Sequence, residues 1–123
     1  MYQSFDGKKW RHIWVVSDIH GCYQRLIDEL KQRGFNPSKD LLISVGDLID
    51  RGPDSVKCLQ LTQEKWFHAV RGNHEQMALD ALENNDFALW TINGGIWFSR
   101  LASSQKLKVI ILLKACRELP HII

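Results

Sequence analysis

SDIHG (17–21), GDLIDRG (46–52) and GNHE (72–75) are the three segments around which this chain is organised. Each follows a short apolar run: IWVV before Ser17, LLISV before Gly46 and WFHAV before Arg71. Each is followed by apolar residues at helical spacing. Strand, polar turn and amphipathic helix therefore repeat three times. That order predicts an α/β domain of parallel strands whose carboxyl ends share one site.

The flanking elements follow from the same periodicities. Arg11 to Val16 reads as a strand covered on both faces, because its end is continuously apolar. Leu41 to Val45 and Trp66 to Val70 are the second and third strands. Leu26, Ile27 and Leu30 predict a helix to about Arg33, with Gly34 as its stop. Gly52-Pro53 opens a second helix that Val56, Leu59 and Leu61 keep amphipathic to about Gln63. Met77, Ala78, Ala81 and Leu82 mark a third after Asn73. Beyond Asn84, Phe87 to Ile92 and Ile96 to Leu101 read as helical pieces broken at Gly94-Gly95. Gln105 to Glu118 reads as a further helix, and Leu119 to Ile123 as the start of another strand. No repeat, low-complexity segment or linker divides residues 1–123.

Composition narrows the function classes. A formal net charge of +2 on 123 residues is too weak for a nucleic-acid partner. Acidic charge instead gathers near the turns, at Asp18, Asp47, Asp50, Asp54 and Glu75, which suits cations. Cys22, Cys58 and Cys116 have no metal-ligand spacing and read as free thiols of a reducing compartment. The longest apolar run, Val109 to Leu113, is far too short for a membrane span. A cytoplasmic protein with no membrane partner is expected.

Asp18 and His20 lie two residues apart in a turn leaving a strand, so both can bend toward one ion. Asp47 and Asn73 leave the second and third strands. Carboxylate and amide oxygens suit hard divalent cations, and an imidazole widens the choice toward Mn, Fe or Zn. A single aspartate at a strand end caps a helix more often than it binds metal. His12, His68 and His121 read as structural, and the tryptophans as core or shielding side chains. Capping accounts for one aspartate. It does not account for three such turns after three successive apolar runs.

Together, DIHG, GDLIDRGP and RGNHE resemble the metallophosphoesterase superfamily and, within it, the phosphoprotein phosphatases, closest to the small bacterial serine/threonine protein phosphatases. The resemblance runs through RHIWVVSDIHGCY, DLLISVGDLIDRGP and VRGNHEQMALDAL and covers essentially the whole chain. Ser17 departs from the glycine usual there. The resemblance implies a calcineurin-like β-sandwich flanked by helices, of which residues 1–123 hold the N-terminal βαβαβ half and the helices after it.

It also implies two divalent ions in the complete domain, with Mn expected. Asp18, His20 and Asp47 match the ligands of the first, Asp47 the bridging carboxylate, and Asn73 a ligand of the second. His74 matches the catalytic histidine near the leaving group, Asp50 its orienting carboxylate, and Arg51 an arginine that holds phosphate oxygens. The implied activity is hydrolysis of phosphoserine or phosphothreonine in proteins or peptides by metal-activated water. Two further histidines and a second phosphate-binding arginine of the family have no match. The chain by itself is therefore expected to hold at most one weakly bound ion and to turn over near background. Symmetrical dinucleoside tetraphosphatase is the alternative, with Asp50 arguing against it; an inactive remnant is the third reading.

Overall fold

The computed structural model describes residues 10–116. Strand β1 (Ile13–Val16) is followed by helix α1 (Tyr23–Gln32), β2 (Leu41–Ser44), α2 (Ser55–Gln60), β3 (Phe67–Ala69) and α3 (Asn73–Asn84). The strands form one parallel sheet in the order β1-β2-β3, with Ile13 beside Leu41 and Leu42 beside Phe67. The alternation of strand and helix predicted from the sequence is present.

Residues paired across a parallel register share a sheet face, so register and burial together identify the core side. Leu42, Phe67 and Ala69 lie on one face and belong to the buried core, with Trp14 and Val16 packed against it. Leu26 and Leu30 of α1, Cys58 and Leu59 of α2, and Ala78, Leu79 and Ala81 of α3 complete that core. Each large aliphatic side chain fully buried in this way contributes about 1.5–3 kcal/mol. The opposite face is covered unevenly: Leu41 is buried, but the residues around it are open. Ile13, Val15 and Val45 are 47%, 68% and 49% exposed. This corrects the expectation of a strand covered on both sides: among the described residues β1 pairs only with β2, and its outer apolar face is open.

Helix α1 ends as its glycine predicts. Gly34, at φ 74°, donates its N–H to the Lys31 carbonyl at 3.1 Å, and Phe35 donates to the Leu30 carbonyl at 2.9 Å. These two bonds satisfy carbonyls that the helix end would otherwise leave unpaired. Helix α2 begins at Ser55, two residues later than expected, and Pro53 falls in the turn before it.

After α3 the chain makes short helix α4 (Ala88–Trp90), a π turn over Thr91–Gly95 and helix α5 (Ile96–Ser99). The break falls at the predicted glycine pair, with Gly94 at φ 111°. Helix α6 (Ser103–Ala115) buries Val109 and Leu113 and leaves Leu107 and Ile111 exposed. The expected strand at residues 119–123, together with His121 and Glu118, lies outside the described residues. No helix among the described residues is long and apolar enough to cross a membrane.

Candidate metal centre

Because β1, β2 and β3 run parallel, the loops that leave their carboxyl ends open on one edge of the sheet, and each carries one of the three motifs. Six non-glycine residues among those described have positive φ, and five belong to the predicted site: Asp18 (46°), His20 (44°), Asp47 (56°), Asp50 (78°) and Arg51 (77°). Such backbone costs on the order of 1–3 kcal/mol per residue and persists only where the surroundings enforce it. Here the loops enforce it on one another. His20 donates its N–H to the Asp47 carbonyl at 3.0 Å, and Gly21 to the Leu48 carbonyl at 2.8 Å.

Glu75 ties the third loop to the second. Its Oε1 accepts the N–H groups of Asp47 (2.8 Å) and Gly72 (3.0 Å), and its Oε2 accepts that of Leu48 (2.9 Å). Burial pushes this carboxyl upward, against the pull of the three N–H donors. Glu75 thus faces backbone amides, although sequence grouped it with carboxylates that suit cations. Gly72 allows this approach, since a Cβ there would come within 2.7 Å of Asp47 Oδ1.

Asp18, His20 and Asp47 offer ligand atoms that all lie within 4.8 Å of one another. Ligands about 2.0–2.2 Å from one ion can be at most about 4.4 Å apart, so small side-chain movements complete the grip. His20 is prepared for ligation. Its Nδ1 lies 2.9 Å from the Ile49 carbonyl, which can only accept, so Nδ1 carries the proton and Nε2 is left for a metal. The donor set of two carboxylates and one imidazole fits a divalent transition ion. At the other side, Asp47 Oδ1 accepts the His74 N–H at 3.0 Å. That places a carboxylate at the positive N-terminal end of α3.

Asn73 is the first residue of α3, between Gly72 and His74. The His74 ring makes edge contact with the His20 ring at 4.7 Å between centroids. Its Nδ1 lies 2.8 Å from Asp50 Oδ2, and Asp50 is fully buried. Arg51 is exposed, with Gly94 packed beside it and Asp50. Asp54 sits at the start of α2 and makes no side-chain cap bond there.

Two participants were missed in the sequence. Trp90 donates its indole N–H to Asp50 Oδ2 at 2.9 Å, and Trp97 donates to Oδ1 at 2.7 Å. Their signal was the seven-residue spacing around Gly94-Gly95, which a reading of tryptophans as core residues passes over. The thiols are free, as expected, and burial pushes Cys58 and Cys116 up to about 12.

Comparison with known proteins agrees with this geometry. "Serine/threonine-protein phosphatase 1" of Salmonella typhimurium is 53% identical over 123 residues, covering 100% of this chain and 57% of that protein. "Serine/threonine-protein phosphatase 2" of Escherichia coli is 52% identical over 122 residues, covering 99% and 56%. The chain spans about half the length of the curated relatives it matches. Among solved structures, a protein proposed to be a diadenosine tetraphosphatase superposes with a TM-score of 0.64 at 29% identity, covering 89% of this chain and 44% of that one. The profile of the calcineurin-like phosphoesterases matches residues 11–115, the span that holds all three loops, and the chain belongs to that family.

Proposed function

We propose that residues 1–123 supply part of one metallophosphoesterase domain that acts as a serine/threonine protein phosphatase in the cytoplasm. The observation that carries this reading is the His74–Asp50 pair at 2.8 Å, set against the ring of His20 in the acid–imidazole cluster. The relatives whose names are serine/threonine-protein phosphatases support it. In this reading Asp18, His20 and Asp47 would hold the first of two ions, and Asp47 and Asn73 would contribute to the second. Manganese is the proposed metal, with iron or zinc as chemically reasonable substitutes. Bound divalent ions supply Lewis acidity and charge neutralisation at the phosphoryl group.

The chain's own residues do the rest. Asp50 fixes the His74 ring through Nδ1, so Nε2 is the nitrogen available to a reacting oxygen. Water adds to phosphorus and gives up a proton to solvent, the P–O bond to the serine or threonine oxygen breaks, and His74, having taken up a proton at Nε2, gives it to that leaving oxygen. Arg51 presents a planar donor fork to the phosphate. The substrates are phosphoserine and phosphothreonine proteins or peptides.

The structural likeness to a diadenosine tetraphosphatase favours a second reading, a symmetrical dinucleoside tetraphosphatase. Asp50 speaks for the first, because it is engaged with His74 and the second family typically lacks it. Calorimetric titration with Mn²⁺, followed by hydrolysis assays on a phosphothreonine peptide and on diadenosine tetraphosphate, tests the choice. One ion held through Asp47, with any turnover falling on the peptide, is the expected result. Preferential cleavage of diadenosine tetraphosphate would establish the second reading, and failure to bind Mn²⁺ would remove both.

A further inference from the structure

Asp50 has no exposed surface, yet its carboxylate accepts three N–H groups: His74 Nδ1 at 2.8 Å and Trp90 Nε1 at 2.9 Å on Oδ2, and Trp97 Nε1 at 2.7 Å on Oδ1. Its own N–H donates to Ser55 Oγ at 3.0 Å, which anchors the backbone as well. An indole N–H is a donor only, so neither tryptophan can serve as a base or relay a proton onward. Their chemistry at Asp50 is to hold it.

The segment carrying them is bent for that purpose. In a straight helix, residues seven apart are separated by about 10.5 Å along the axis, so two indoles would have to lean toward each other to meet at one carboxylate. The chain between them is instead kinked at Asn93 and Gly94, with φ of −91° and 111°. The Trp90 and Trp97 rings then lie 5.8 Å apart at 87°. Gly95 completes the fit, since a Cβ there would stand 2.6 Å from atoms of the Trp90 indole.

We propose that Trp90 and Trp97 are positioning residues: their two N–H bonds orient the Asp50 carboxylate, and through it hold His74 as the Nδ1–H tautomer with Nε2 free for the reacting oxygen. The catalytic consequence rests on the phosphatase reading; the tautomer does not. Without the indoles, Asp50 can rotate or recruit water. The His74 ring then loses its single orientation, and its proton is shared between the two nitrogens.

The test uses the full chain, metal-free and labelled with ¹⁵N-histidine, in alkaline buffer where long-range ¹⁵N–¹H correlations report the tautomer of each neutral ring. Trp97→Phe removes one donor. Substituting benzothienylalanine at position 97 replaces the N–H by sulfur at nearly unchanged shape, so packing is kept if the phenylalanine variant fails to fold. The unsubstituted chain is expected to show His74 as one Nδ1–H species, and both variants a mixture. In turnover, loss of a hydrogen bond to a charged group corresponds to a roughly 10–100-fold fall in kcat, with KM within about twofold. The deficit should grow as the leaving alcohol becomes less acidic, because unassisted departure is slowest there. A folded variant with the His74 tautomer unchanged overturns the proposal. A tautomer shift in a chain that hydrolyses no phosphoester sustains the positioning, since turnover near background is expected of residues 1–123; cleavage of diadenosine tetraphosphate in preference to the phosphopeptide counts against the phosphatase reading alone.

Discussion

Replacing Gly72 with alanine tests whether the loops hold the proposed metal ligands by backbone contact. Gly72 has φ −86°, which any residue can adopt, so the effect is one of space. The new methyl would sit 2.7 Å from Asp47 Oδ1, closer still to the Asp47 backbone nitrogen, and 3.0 Å from Glu75 Oε1. To reach ordinary contact at 3.4 Å, the ligand carboxylate must retreat by about 0.7 Å. Misplacement of about 1 Å costs on the order of 100-fold in rate, so a loss of some tens of fold is expected in Mn²⁺ affinity and in any turnover. Overpacking adds about 1–3 kcal/mol of destabilisation. Gly34→Ala is the control. It stands at φ 74° with open space around it, so it suffers backbone strain of about 1–2 kcal/mol without touching the site. Calorimetric Mn²⁺ titration and thermal melts on both variants separate the two effects. Folded Gly72→Ala that binds Mn²⁺ as the parent does, or Gly34→Ala that loses as much affinity, would refute the reasoning.

Three further outcomes are expected. In a chain completed to the length of its relatives, His74→Asn should lower turnover by roughly 10²–10⁴-fold while Mn²⁺ binding survives, whereas Asp47→Asn should disturb both ions; a metal-free His74→Asn would reverse the assignments. Glu75→Ala strands the buried Leu48 N–H and two partly buried ones, and should cost about 3–5 kcal/mol in denaturant melts, against about 1–3 kcal/mol for Glu75→Gln, which keeps one acceptor oxygen; equal costs would deny the three-bond tie. Asp40, paired with Arg11 at 2.8 Å, has its carboxyl lowered to about 2 from the ordinary 3.8 by the Arg11 hydrogen bond. Between those values the unfolded chain binds more protons than the folded one. This stabilisation is therefore present above about pH 3.8 and drains as pH falls toward about 2. Arg11→Ala should move the acid-unfolding midpoint to higher pH, and an unmoved midpoint would contradict the pairing.

The sequence by itself determined the three strand–turn–helix units, the residues Asp18, His20 and Asp47 of the candidate metal cluster and the break at Gly94-Gly95, because all of these are local. Apolar period, glycine position and the residue types within one turn are properties of a few adjacent residues. The tertiary structure decided what depends on distant partners. IWVV reads the same whether one face of β1 is covered or both, and only the packing shows Ile13 and Val15 open. Glu75 sits beside a metal motif and resembles a ligand until the Asp47 amide, 28 residues away, is seen to face it. Trp90 and Trp97 look like core residues until the chain folds them onto Asp50, 40 and 47 residues earlier. A buried carboxylate must find donors, but nothing in local propensity says which ones. That choice belongs to the packing of the bent helical segment against the second loop.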